Sequence, residues 1–240
     1  MDAKLYLRQL EAGIDFAVGN PTAASMDNFV YLVGDRAAGE CFVVDPAWDV
    51  KGLLDVAATD GMRVVGALVT HWHPDHVGDN QGWLFGRPVE GVAKLLELNP
   101  CPIHVHRGDV DWVRQMTGIS ASDIAVRESG DRVKVGGIEV ECLHTPGHTP
   151  GSQCFKCGQA LISGDTLFLQ GCGRTDLPGG DPEEMGRSLL HRLAGLPGDT
   201  ILYPGHNYGD RPHAPLDEVR RTNQVFRMTD AAAWRRLGGM

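Results

Sequence analysis

His71, His73, Asp75 and His76 crowd into the segment THWHPDHVGD, and residues of those types so close together can bind metal. In an extended stretch, side chains two residues apart point the same way, so His71 and His73 can face one ion together. Pro74 then turns the chain and brings Asp75 and His76 round beside them. One short loop can thereby feed two adjacent ions. His148, Asp165 and His206 come later. Each follows a short apolar run, Val140 to Leu143, Ala160 to Ser163 and Thr200 to Tyr203, just as Val64 to Val69 precedes His71. Strand ends of this kind let loops present side chains on a rigid scaffold. Imidazole and carboxylate without thiolate suit two divalent metal ions, zinc first, with iron or manganese as alternatives. Three residues per ion leave a position open for water or substrate.

The elements that must hold these loops are mixed in type. Residues 4 to 7 and 28 to 33 alternate like strands, Cys41 to Val44 is a further apolar run, and Gly34 to Glu40 has turn composition. A hairpin therefore opens the chain, and Asp45-Pro46 ends it. Val50, Leu53, Leu54 and Ala57 repeat at helical spacing ahead of a buried strand from Arg63 to Val69. A helix over Glu90 to Leu98, a short strand over Ile103 to Val105, and a hairpin over Val133 to Val140 turning on Gly136-Gly137 come next. Asp181, Pro182, Glu183 and Glu184 read as an N-cap, a proline at the first helical position and an acidic first turn, for a helix running to about Leu193. The string of elements is α/β. It fits a four-layer αββα sandwich and, about as well, a doubly wound parallel sheet. No repeat or long linker divides the chain, so one catalytic domain over residues 1 to 210 is expected, with a C-terminal helical tail over 211 to 240 packed on it.

Composition narrows the class. The chain has 240 residues, 42% of them hydrophobic, enough for a real core. A formal net charge of −9 argues against a nucleic-acid partner, which needs clustered Lys and Arg. A small anionic substrate needs only one or two local cations. Charges at Asp2, Lys4, Arg8, Glu11 and Asp15 interrupt any secretory leader, and no later run is long enough to span a membrane. A soluble, cytoplasmic protein without membrane contact is expected. Six cysteines are too few and too scattered for a disulfide framework, and Cys154 with Cys157, in a hairpin turning at Gly158, reads as structural.

In order and spacing, THWHPDHVGD, TPGHTPGS, SGDTLF and YPGH resemble the ligand motifs of the metallo-β-lactamase superfamily, from the VVDP of Val43 to Pro46 through His206. That resemblance implies the αββα sandwich. It also implies that His71, His73 and His148 hold one metal, that Asp75, His76 and His206 hold a second, and that Asp165 bridges them. Asp45 matches an acid that supports the histidine loop. The bridging Asp165 argues against a true β-lactamase. The stretch GDTLFLQGCGRTDLPGGDPEEM resembles the glyoxalase II group, which hydrolyses glutathione thioesters. For that chemistry Asp75 would orient the attacking hydroxide and accept its proton, and a thiolate leaves without strong acid help because a free thiol has a pKa of about 8.5. The same letters also resemble sulfur dioxygenases that act on glutathione persulfide with a single iron, and a lactonase is a further alternative. VGDN after the histidine loop and Thr166 favour the thioesterase.

Weaker signals concern the substrate, expected to be a small anionic thiol derivative. Cys172 and Arg174 fall where the glyoxalase II pattern places a cation that contacts glutathione, although Asp176 replaces the aromatic hydroxyl more usual nearby. Tyr208, two residues past His206, offers a hydroxyl. His104 and His106 form a second possible metal pair in IHVH, and His144 is read as serving a strand end. Arg220, Arg221, Arg227, Arg235 and Arg236 are read as a solvated face of the tail helix. Residues 80 to 128, with Trp83 and Trp112, are longer than a minimal connection and are read as a lid or a homo-oligomer contact.

Overall fold

Alternation along the strands sorts the apolar side chains into three separate cores. The computed structural model describes residues 4–228 and Trp234. One sheet is built from β1 (Leu5–Glu11), β2 (Phe29–Asp35), β3 (Glu40–Val44), β4 (Arg63–Leu68), β5 (Ile103–His106) and β6 (Ile124–Arg127), side by side in that order. The other contains β7 (Arg132–Val135), β8 (Ile138–His144), β9 (Gln153–Cys157), β10 (Ala160–Gly164), β11 (Ile201–Pro204) and β12 (Ala214–Pro215), also in chain order. Phe29, Tyr31 and Val33 of β2 meet Cys142, Phe155 and Ile162 of the other sheet. Val30 and Leu32, one residue out of phase, face the opposite way into a core with Val50, Leu53 and Leu95. Leu161 and Cys154 of the second sheet face outward onto Met185, Leu189 and Leu216. Strands buried on both faces read as unbroken apolar runs, and FVYLV is one.

Helices cover the two outer faces, among them α1 (Pro21–Met26), α2 (Val50–Thr59), α3 (Pro74–Val77), α4 (Val92–Leu98), α5 (Val110–Thr117), α6 (Pro182–Arg187) and α7 (Leu216–Thr222). The result is the four-layer αββα sandwich, not the doubly wound sheet. The tight hairpins at Gly136-Gly137 and Gly158 force antiparallel pairing of β7 with β8 and of β9 with β10, the loop 145–152 joins β8 antiparallel to β9, and links this short cannot make parallel crossovers. Parallel pairing is confined to β3 through β6 and to β10 with β11.

Several expectations shift in detail. Asp181 caps α6 through the N–H groups of Glu183 and Glu184 at 2.8 and 3.0 Å, but the helix loosens after Arg187 into a wider π-type turn. The helix expected from Glu90 starts at Val92, because the Glu90 carboxylate accepts instead from Val50 N–H at the start of α2, at 3.2 Å. Past residue 210 the chain is not wholly helical: β12 first adds an edge strand to the second sheet, and α7 then closes the outer core through Leu216 and Val219. Arg220 does not lie on a solvated face, since it donates to the carbonyls of Leu193 and Leu196 at 2.9 and 2.6 Å. Arg221 and Arg227 are exposed, and Arg235 and Arg236 lie outside the described residues. Residues 80 to 128 are largely sheet and helix, with β5 and β6 among them, so much of this span belongs to the scaffold, while Trp83 reaches the cleft above the site. Among the described residues no helix is long and apolar enough to cross a membrane.

Candidate metal centre

The ends of β4, β8, β10 and β11 converge, as their apolar runs imply. His71, His73, His76, His148 and His206 are all at least 95% buried. His71, His73 and His148 bring one nitrogen each to within 4.8 Å of one another, and Asp75, His76 and His206 do the same with one donor atom each. Asp165 lies between the two groups. Its Oδ1 is 3.5 Å from His76 Nε2, while its Oδ2 is 3.3 Å from His206 Nε2 and 3.6 Å from His148 Nε2. Two glycines leave it room: a Cβ on Gly205 would sit 2.3 Å from Asp165 Oδ1, and one on Gly173 would strike the Asp165 carbonyl and the His148 ring.

The outer ring nitrogens show which way each imidazole is set. His148 Nδ1 donates to the Arg174 carbonyl at 2.6 Å and His206 Nδ1 to the Met26 carbonyl at 2.7 Å. A carbonyl can only accept, so the proton sits on Nδ1 and the Nε2 lone pair points inward. Asp45 does the same for two more rings. Its Oδ2 accepts from His76 Nδ1 at 2.9 Å and from the Thr70 hydroxyl at 2.6 Å, and that hydroxyl, its own proton spent, is 3.0 Å from His71 Nδ1. Asp45, His71 and His76 also cluster tightly enough to suggest a metal. The Asp45 oxygens, however, are already committed to Thr70 and His76, so Asp45 is a support and not a ligand.

Inside the ring of supports, His71 Nε2, His73 Nε2, His148 Nε2 and Asp165 Oδ1 are buried without a hydrogen-bond partner. Stranding buried polar atoms is costly, about 1–3 kcal/mol each, and cations between them would satisfy all four. Burial and neighbouring imidazoles hold His71 well below the usual imidazole range, and His73 down to about 3, so these donors stay neutral. In the other group, burial resists charge on His76, yet Asp75 and Asp165 prevail and raise it. His206 is raised against burial by Asp165 and Asp75. Burial likewise pushes Asp75 and Asp165 upward, but His76 and His206 outweigh it and hold both carboxyls ionised. The centre is built around positive charge.

Two residues complete it that the sequence reading missed. Asn28 donates to Asp75 Oδ2 at 3.0 Å and accepts from the Trp48 indole at 2.9 Å. Asp109, fully buried, joins two ligand loops: Oδ2 accepts from Trp72 N–H and the Thr149 hydroxyl, at 3.1 and 2.7 Å, and Oδ1 from Gly151 N–H at 2.6 Å. Burial pushes its carboxyl up to about 6 in spite of these donors.

A cleft of about 500 Å³ opens above the centre and reaches Cys172, Arg174 and Tyr208. Arg174 is exposed and forms a two-pronged ion pair with Asp176 at 2.9 and 2.8 Å. Tyr208 stacks on His206 at 4.7 Å and is half exposed. Burial pushes the Cys172 thiol up to about 12, which keeps it neutral. His104 and His106 do not form a site. His104 Nδ1 accepts from Arg127 and His106 stacks on His144 at 3.8 Å, and among the described residues no candidate metal group includes either. Cys154 and Cys157 face opposite cores.

This fold, with two groups of buried imidazole and carboxylate donors meeting at a shared aspartate, defines a dinuclear metal-dependent hydrolase. The Metallo-beta-lactamase superfamily profile matches residues 26–206, and the chain belongs to that superfamily. It is 36% identical over 221 residues to the hydroxyacylglutathione hydrolase of Hahella chejuensis, an alignment covering 90% of this chain and 74% of that one. It is 30% identical over 204 residues to the mitochondrial persulfide dioxygenase of Homo sapiens, covering 81% and 70%. Among solved structures, a protein crystallised in a di-iron-bound form superposes with a TM-score of 0.64 at 32% identity, covering 82% of this chain and 94% of that one.

Proposed function

We propose that the protein hydrolyses thioesters of a small anionic thiol, of the S-acylglutathione type, in the cytoplasm. The observation that carries this reading is Asp165, whose two oxygens stand between two complete donor groups. His71, His73 and His148 would hold one divalent ion and Asp75, His76 and His206 the other. When bound, such a pair supplies a water activated near neutral pH and a Lewis acid for the carbonyl. The chain's own residues do the rest. Asp75, its Oδ2 fixed by Asn28, faces the cleft and takes the proton that the attacking water gives up. Asp45 and Asp109 keep the ligand loops from relaxing. Arg174 and Tyr208 meet the thiol carrier at the mouth, and Cys172 lines its path. A net charge of −9 supports a small substrate over a nucleic acid.

Similarity to a persulfide dioxygenase makes oxygenation the second reading. Thiol release from S-lactoylglutathione separates the two: the metal-loaded protein should cleave it without consuming oxygen. Oxygen uptake with glutathione persulfide, and no thiol release from any thioester, would replace the hydrolase with the dioxygenase.

A further inference from the structure

The loop from Asp79 to Val89 has a closed neck and a tip that its own fold does not explain. Asp79 and Val89 exchange two backbone hydrogen bonds, at 2.9 and 2.8 Å. Inside the loop the buried Asp79 carboxylate accepts from the N–H groups of Gln81 and Gly82 at 2.8 and 2.9 Å. These bonds need no apolar side chain. Yet the tip carries Trp83, Leu84 and Phe85, with Trp83 50% and Leu84 47% exposed. Most large apolar side chains that could be buried are buried, and a cluster of exposed ones marks a contact surface.

The tip is braced from behind. Trp83 lies 5.8 Å from Trp72, which stacks on Trp112 at 4.7 Å and meets the His73 ring at 4.6 Å. Phe85 lies 5.2 Å from Trp48, whose indole holds Asn28, the residue that holds Asp75. Both aromatic rings of the tip thus rest on residues that set the metal centre, and all three tip residues line the cleft above it with Met26, Phe168 and Leu177. Among the described residues, Arg174 is the single Lys or Arg in that lining, and Asp176 already engages it. The cleft has one cation to offer the carrier and an apolar wall to offer whatever else enters.

We propose that Trp83, Leu84 and Phe85 form an acyl subsite, and that the physiological substrate is a thioester with an extended apolar acyl group, aliphatic or aryl, in place of a short hydroxyacyl group. This rests on the thioester-hydrolase reading and adds the class of acyl group to it. A buried methylene contributes enough to raise kcat/KM about two- to fourfold per carbon.

The test is a series of S-acylglutathiones from acetyl to octanoyl, with thiol release measured for each. The expected result is a steady rise in kcat/KM with chain length, and a much flatter rise in Trp83→Ala and Leu84→Ala proteins that keep wild-type metal content and circular dichroism. Cleavage of the whole series at one rate by the wild-type protein would overturn the acyl subsite and leave the thioesterase standing. Non-cleavable S-alkylglutathione thioethers read the subsite without turnover. Their affinity, followed by isothermal titration, should tighten with chain length and lose that dependence in Trp83→Ala, and equal affinity for S-methyl and S-octyl forms would overturn the proposal whatever the reaction proves to be.

Discussion

At the floor of the cleft all five histidines are buried, and four of them have Nδ1 engaged by Thr70, Asp45, Arg174 or Met26. At the rim Trp83, Leu84 and Tyr208 are each about half exposed, and the Arg174 guanidinium pairs with Asp176, two residues further along the loop. The floor is held in place several times over because a misplaced ligand leaves a buried polar atom with nothing to bind. The rim is held mainly by ring packing on one side, and solvent can replace what its exposed side loses. On the proposed function, chemistry belongs to the floor and substrate choice to the rim, and substitutions in the two regions should differ in size and in the kinetic constant they move.

The largest effect is expected from Asp75→Asn, which keeps the shape of the side chain but removes its charge and its proton acceptor. Turnover should fall by about 10²- to 10⁴-fold, with circular dichroism unchanged. Near-normal kcat in the folded variant would take Asp75 out of the chemistry and weaken the contrast at its strongest point.

Asp109→Asn comes next and tests whether support matters as much as ligation. An amide cannot accept from all three donors that meet the Asp109 carboxylate, so one buried N–H or hydroxyl loses its partner at a cost of about 1–3 kcal/mol. In a chain of this length Tm should drop by roughly 3–10 °C. Because Asp109 ties the loop of His71 and His73 to that of His148, metal affinity should also fall, by about 10- to 100-fold. A lower Tm with unchanged metal affinity would make Asp109 a fold residue alone.

The smallest effect belongs to Arg174→Ala. A buried clamp on a carboxylate would justify a large loss, but this guanidinium is exposed and already paired, and such contacts contribute about 0–1 kcal/mol. KM for an anionic thioester should rise no more than about fivefold, with kcat held and neutral thioesters unaffected. If kcat falls for neutral and anionic substrates alike, the residue is holding the carbonyl that orients His148, and the rim reaches further into the floor than proposed.

The same contrast governs what the sequence reveals. Ligands at the floor are legible because each must stand at the end of an apolar strand, and a motif such as HWHPDH leaves a pattern in the letters. Supports are harder to see. Asp109 precedes a helix in RGDVDW and reads as an ordinary cap, but it makes no cap hydrogen bond and turns instead to Trp72, Thr149 and Gly151, which are far off in sequence. Asn28 looks like a polar residue at the start of a strand, and only the folded chain sets it against Asp75. A four-layer sandwich and a doubly wound parallel sheet give the same string of elements, so the choice between them came from family motifs and was decided in the structure by the tight hairpins. The rim is least legible of all: the sequence reads Trp83 only as part of a long lid or oligomer contact, and Leu84 not at all, and the tip takes its place only when the neck between Asp79 and Val89 closes.

The central claim is a hydrolase that needs two ions, and titrating metal-stripped protein with zinc while following thiol release tests it most directly. Activity should stay low through the first equivalent per chain and climb to its plateau with the second, with no oxygen consumed. Full activity at one equivalent of iron, accompanied by oxygen uptake with glutathione persulfide and unchanged by added zinc, would contradict it.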